Sequence, residues 1–263
     1  GMRKRKILVT FGLLACMAAG TVFHGMTGFV HAEESTLEMV DLADGVTYGC
    51  NEQGMPQFVN LNGNSVIIKD VPAEEGGTVK YHNIYIDKNR NGIVDDGEEK
   101  VVLDKDMGGS DNSDVPAGIP IYGIYQAKST TPIRITLEGN GYGTVIGVNR
   151  GELVTSEGTA VFMDIDCGSI GECYAAKSST VTVSGTVEKA IAVHMVNGNI
   201  SALYGVQDCT VITGENVNTG IALEMTGGTV SSCYVDQCSD VAMASNIKMA
   251  LDVDILQDAA VSK

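Results

Sequence analysis

"GSIGECY" at residues 168–174, "GNISALY" at 198–204 and "GTVSSCY" at 228–234 are versions of one phrase, set at a constant step. That step is about 30 residues, within the range of stacked-repeat architectures, whose signature is self-similarity at a fixed period. Other columns keep the same step: Val181, Val211 and Val241; Val187, Val217 and Ile247; Ile191, Ile221 and Leu251; Val193, Leu223 and Val253; Met195, Met225 and Ile255. One period earlier, Val161, Met163 and Ile165 fall in the last three columns. Between them stand smaller or polar residues, Ala192, Ala222 and Asp252, then His194, Glu224 and Asp254. Apolar and polar positions alternate with period two, the pattern of a half-buried strand.

Each repeat holds about three such strands between Gly-, Asn- and Ser-rich turns, for example "SGT" at 184–186 and "NG" at 197–198. A unit of this length with three short strands predicts one coil of a parallel β-helix, with successive coils about 4.8 Å apart and equivalent residues in columns. Right-handed coiling follows by analogy with parallel crossovers. A β-propeller is the competing architecture, but its blades run to about 40 residues or more. Gly168, Gly198 and Gly228 fit a corner that needs positive φ or a close backbone approach. Upstream the register loosens. "YQAKS" at 125–129 matches "YAAKS" at 174–178, and "PIRITLEGNG" at 132–141 matches "GIALEMTGG" at 220–228.

"EMTGGTVSSCYV" and "HMVNGNISALYGV" resemble the TGGTVxxVYG repeats of secreted surface proteins of Gram-positive bacteria. The resemblance covers about residues 119–257. It implies a parallel β-helix in an extracellular setting and leaves the activity open, because solenoids host many roles.

The N-terminal stretch "MRKRKILVTFGLLACMAAGTVF" places four bases before an apolar run, and "VHA" at 30–32 suits signal peptidase, so 1–32 reads as a signal peptide. "LLAC" at 13–16 offers a competing lipoprotein reading through Cys16. Removing 1–32 takes away four of 17 bases and none of 33 acids, so a net charge of −16 becomes −20. Such acidity argues against nucleic acid and anionic membranes. No membrane span is expected in the mature chain; a glycan or other cell-surface ligand and end-to-end self-association are the expected partners.

The six remaining cysteines suit an oxidising compartment. Cys173 and Cys233 share a column with Leu203 and stand two coils apart, beyond disulfide reach. Cys209 and Cys238, on neighbouring coils and offset by one position, are the pair that could bridge. Tyr174, Tyr204 and Tyr234 form another column, either a stiffening ladder or a sugar platform.

"DKNRNGIVDDGE" at 87–98 carries oxygen ligands at the positions of an EF-hand loop. Asp87, Asn89, Asn91, the carbonyl of Ile93, Asp95 and Glu98 occupy positions 1, 3, 5, 7, 9 and 12, with glycine at 6. Hard oxygens suit Ca²⁺. The flanks "TVKYHNIYI" and "EKVVL" favour strands, so the loop is expected on a β-hairpin, with a structural calcium. Residues 33–103 read as an N-terminal β region, 104–118 as a linker and 119–263 as the β-helix.

No nucleophile elbow, phosphate loop or HExxH occurs. The enzyme alternative rests on the outward column Asp164, His194, Glu224 and Asp254, whose carboxylates could serve a polysaccharide lyase or glycoside hydrolase. A lyase also calls for Arg or Lys beside the substrate acid, and this strand face is expected to supply neither. Outward positions on a solenoid are polar in any case. The sequence therefore points to a structural or adhesive role first and to catalysis second.

Overall fold

The computed structural model describes residues 5–6 and 38–261, apart from 74, 132, 139–141, 208, 214–215, 226–228, 235–239, 243–247, 250–252 and 256–259. The fold is all-β. The described residues contain no helix, and so none long and apolar enough to cross a membrane. Two short strands, β1 (Arg5–Lys6) and β2 (Glu38–Met39), pair antiparallel. The rest of the expected signal peptide lies outside the described residues. The further strands form one 18-stranded mixed sheet that curls into a half-barrel.

The N-terminal part is built from antiparallel pairs. β3 (Thr47–Cys50) pairs with β4 (Pro56–Asn60), β5 (Val66–Asp70) with β6 (Tyr81–Ile86), and β6 with β7 (Val115–Pro116). From here all pairing is parallel. β8 (Ile121–Tyr125), β9 (Lys128–Ser129), β10 (Ile133–Glu138) and β11 (Tyr142–Asn149) lead into two long, bending strands, β12 (Glu152–Lys177) and β13 (Thr180–Gln207). Beyond them come β14 (Thr210–Thr213), β15 (Asn216–Met225), β16 (Thr229–Tyr234), β17 (Asp240–Ala242), β18 (Lys248–Met249), β19 (Val253–Ile255) and β20 (Ala260–Val261).

The columns read from the repeat are real neighbours. Val193 pairs with Met163 and Leu223, and Leu223 with Val253. Leu203 pairs with Cys173 and Cys233, and Val211 with Val181 and Val241. Three inward columns converge on one core: Val59, Ile121, Val145, Cys173 and Leu203; Val66, Ile135, Ile165 and Met195; Leu153 and Val181. Each of these side chains is buried. Burying one large aliphatic side chain contributes roughly 1.5–3 kcal/mol, so the columns carry the stack.

Upstream, the segment "PIRITLEGNG" keeps the repeat step, since Ile133 pairs with Met163 and so stands with Val193 and Leu223, while the match of "YQAKS" is displaced. The match of "YQAKS" puts Tyr125 over Tyr174, but Tyr122 and Ile146 occupy that column. The cause is coil length. Ile121, Val145, Cys173 and Leu203 share one column, so each coil from Ile121 to Cys173 is shorter than the one from Cys173 to Leu203.

The corners carry no sequence signal either. Gln126, Arg150 and Ser178 take φ of 50°, 49° and 48°. Such a left-handed non-glycine residue costs on the order of 1 kcal/mol. The turn returns a hydrogen bond each time, because their N–H groups donate to the carbonyls of Asn149, Lys177 and Gln207 at 3.1, 3.0 and 2.9 Å. Of the glycines expected at corners, Gly198 has φ +100°, and Gly228 lies outside the described residues.

The N-terminal region joins the same sheet. β4 pairs parallel with β8, β5 with β10, and Val40 bridges Ala127. Residues 38–70 therefore lie beside β8 and β10 in the sheet. On their outer edges β3 and β6 run antiparallel. The segment 104–118, read as a linker, places Met107 and Val115 in the core, and its β7 extends the sheet.

Candidate metal centre

The loop 87–98 leaves the end of β6, and the chain returns beside the same strand. Val101 N–H donates to Ile84 O at 2.7 Å, and Lys100 bridges Tyr85 antiparallel. The expected second strand is thus reduced to a bridge, but the hairpin context holds.

Asp87 anchors the loop. Its N–H donates to Ser65 O at 2.9 Å, and the residue is 1% exposed. Its two oxygens accept from Asn91 N–H at 3.1 Å and Gly92 N–H at 2.8 Å. Gly92 has φ +74°, which the sharp turn demands. Asn89 Oδ1 accepts from Asn91 N–H at 3.2 Å, and Asn91 Oδ1 from Ile93 N–H at 2.9 Å. Both side-chain amides donate to Asp95 Oδ2, at 2.7 Å from Asn89 and 2.8 Å from Asn91. Glu98 closes the ring, accepting from Lys88 N–H at 2.9 Å and Asp95 N–H at 3.0 Å. Every predicted side-chain ligand is thereby bonded within one loop, and Ile93 supplies the N–H that holds Asn91.

The donor set fits a hard cation. Backbone N–H groups solvate a buried carboxylate but do not neutralise it, and a cation beside Asp87 would supply the counter-charge. Amide oxygen and nitrogen are interchangeable by a half-turn of the side chain. That turn would present the Asn89 and Asn91 oxygens where their nitrogens now meet Asp95. Among the described residues no three His, Cys, Asp or Glu side chains gather into a ready-made metal group. The amide oxygens and the Ile93 carbonyl would therefore have to complete the set, which favours Ca²⁺ over zinc or copper.

The loop also touches the coils. A Cβ on Gly92 would lie 3.1 Å from Thr136 Oγ1 and 3.5 Å from an Arg134 side-chain nitrogen. Arg134 reaches Asp166 on the next coil at 3.9 Å. Its backbone pairs with Asp164, Asp164 with His194, His194 with Glu224 and Glu224 with Asp254. The ionisable column therefore begins with a cation, one repeat step before Asp164 and against the expectation that this face supplies none. Counting one repeat step back from Asp164 reaches Arg134, so the sequence carried this signal.

The tyrosine column is a ladder over its described part. The rings of Tyr174 and Tyr204 stack at 4.5 Å with 7° between planes, and Lys177 Nζ sits 4.9 Å from the Tyr174 ring. Tyr174 OH donates to Glu172 Oε2 at 3.3 Å. Burial, then the charge of Glu172 and the neighbouring Tyr204, push this phenol up to about 12. Ring faces occupied by neighbours are not open to a sugar. At the N-terminal end Phe58 lies across Gly49 of β3 and stacks on Tyr122 at 4.6 Å.

A feature without any sequence signal is the pair His82–Asp70. His82 Nδ1 lies 2.9 Å from Asp70 Oδ1, and the ring stacks on Tyr142 at 4.3 Å. Burial lowers the His82 pKa, and the Asp70 charge opposes the shift. The two residues face each other in register across β5 and β6, so nothing local announces them. Cys238, half of the expected disulfide, lies outside the described residues. Cys209 Sγ contacts Gln207 O at 3.1 Å.

No protein family, no curated protein and no solved structure matches this chain.

Proposed function

We propose that the chain is a right-handed parallel β-solenoid with coils of about 30 residues, working outside the cell as a calcium-stabilised scaffold with a structural or adhesive role toward glycans. The observation that carries this reading is the continuous parallel register from Val59 through Ile121, Val145 and Cys173 to Leu203 and Cys233. A stack of this kind presents repeated outward columns, the geometry of an extended binding or spacing element. Supporting the setting are the signal-like N-terminus, the acidic composition and the resemblance to surface-protein repeats. Calcium would be held by Asp87, Asn89, Asn91, the Ile93 carbonyl, Asp95 and Glu98, pinning the antiparallel end to β10. With two Asn ligands, affinity in the weak extracellular range of about 10⁻⁴ to 10⁻³ M is expected.

The test is retention of the mature protein on a panel of glycans in calcium and in chelator, with light scattering to detect self-association. Retention without cleavage supports the binding reading. Neither retention nor association, in a folded calcium-loaded protein, overturns it.

One observation favours a second reading, a polysaccharide lyase or glycoside hydrolase: Arg134 shares a column with Asp164, His194 and Glu224. Product release from a glycan that disappears in Glu224→Gln and Arg134→Ala would make the protein an enzyme.

A further inference from the structure

Asn91–Gly92 sits in an unusual set of contacts. The Gly92 nitrogen donates its hydrogen to a carboxylate, Asp87 Oδ2, at 2.8 Å. The Asn91 side-chain oxygen is held by Ile93 N–H at 2.9 Å, and its side-chain nitrogen by Asp95 Oδ2 at 2.8 Å. Asn91 is exposed, so water reaches it. Glycine at 92 leaves its nitrogen unscreened by a Cβ.

We propose that Asn91–Gly92 is a self-processing site, in which Asp87 acts as the base that converts Asn91 to an acidic residue. The Gly92 nitrogen attacks Asn91 Cγ, and Asp87 takes its proton. The new N–Cγ bond closes a succinimide as the Cγ–Nδ2 bond breaks and ammonia leaves with a proton from water. Charge developing on Oδ1 is met by Ile93 N–H, in the manner of an oxyanion donor. Asp95 steers the departing nitrogen. Water then opens the ring: attack at Cγ gives aspartate, and attack at the main-chain carbonyl gives isoaspartate. The sum is amide plus water to carboxylic acid plus ammonia, with no other reactant.

Two other Asn–Gly pairs within the described residues are internal references. At Asn62–Gly63 the glycine N–H donates to a neutral acceptor, Gly123 O, at 2.9 Å. The Asn62 amide is buried against Gly45 O at 2.6 Å and Thr47 Oγ1 at 3.2 Å. Asn197–Gly198 lies within β13 with the glycine at φ +100°. At Asn91–Gly92 the glycine N–H meets a carboxylate instead of the neutral carbonyl it meets at Asn62–Gly63. An aspartate at 91 would add a fourth carboxylate to Asp87, Asp95 and Glu98 in the ligand set and tighten its hold on calcium. This last step rests on the calcium reading above.

The experiment is peptide mapping by mass spectrometry during neutral-pH incubation of the whole protein, in chelator, in calcium and in urea. The amide-to-acid mass change at Asn91 is expected to precede that at Asn62 and Asn197, and to run faster in the chelated native protein than in urea. Asp87→Asn is expected to slow it at least about tenfold, as loss of a positioned base should. Should Asp87→Asn lose its native circular dichroism, Ile93→Pro is the deciding variant. It removes the N–H on Asn91 Oδ1 at an exposed position and is expected to slow conversion as well. A native rate no faster than in urea, or an unchanged rate in a folded variant, overturns the proposal. Slower conversion in calcium supports the cation loop. Equal rates with and without calcium count against that loop reading and leave the Asp87-assisted conversion standing.

Discussion

The antiparallel end and the stacked parallel strands share one sheet, yet they are stabilised differently. In the coils, each residue meets its own counterpart from the neighbouring coil, and the inward columns Cys173–Leu203 and Ile165–Met195 do the same job at each level. In the N-terminal region each contact is made once: Asn83 Nδ2 donates to Asp114 Oδ1 at 2.9 Å, Tyr142 OH to Ile68 O at 3.1 Å, and the loop 87–98 bonds to itself. Repetition averages small errors over many rungs; a singular contact has no substitute. The difference teaches that damage should spread through the coils as a graded loss and strike the N-terminal end as a local switch.

The largest effect that could break this contrast is expected in the coil core. Leu203→Ala should cost about 2–5 kcal/mol, read by urea denaturation as a lower midpoint with unchanged slope. A loss below about 1 kcal/mol would mean the columns carry less than their burial implies. Next comes calcium. At a concentration of about a hundred times Kd it should add about 2.7 kcal/mol, seen as a rise in Tm, and Asp87→Ala should abolish the rise while sparing the coils. If calcium gives neither binding heat nor a rise in Tm in the unaltered protein, the loop is a hairpin without a cation.

A smaller effect belongs to the ladder. Tyr204→Leu keeps the side chain apolar and removes the stack on Tyr174, so about 0.5–1.5 kcal/mol should go. Smaller again, and visible only against pH, is His82. Its folded pKa lies below the ordinary 6.5 because of burial. Between the two values the unfolded chain takes up a proton and the folded chain does not. Stability is therefore whole above 6.5 and falls as pH drops from there to the folded value. His82→Gln should flatten that acid slope in a pH series of melts. At the bottom of the order is Lys128→Ala. The pair Lys128–Glu152 at 2.9 Å is half exposed on the lysine side and screened, so removing it should change stability by less than about 1 kcal/mol.

How much of this was legible in the sequence differs between the same two regions. From Val161 onward, equal spacing lets residues be placed in columns by counting. Before that the coils are shorter, from Ile121 to Val145 and from Val145 to Cys173, and matching "YQAKS" to "YAAKS" misplaces Tyr125 by three positions. The strand β10 still keeps the repeat step to β12, so Arg134 can be counted into its column from Asp164. The loop 87–98 is readable as a candidate because its oxygen-bearing residues follow the spacing that metal geometry would fix along a chain. His82–Asp70 and Phe58 over Gly49 are not, because cross-strand partners are set by register and carry no local signature. The left-handed corners at Gln126, Arg150 and Ser178 are hidden because none is a glycine or an asparagine.

The pairing of β4 with β8 and of β5 with β10 has a consequence in time. The strands that underlie the first coil are made before it during synthesis, and β3 and β6 occupy their outer edges. Each later coil then finds one finished edge to join, with its partner a single coil behind in the columns of β8, β11, β12 and β13. Closing a loop of one coil adds little entropy per step, so a molecule built almost wholly of non-local strand pairs can assemble by a succession of nearly local ones, from the N-terminal end onward.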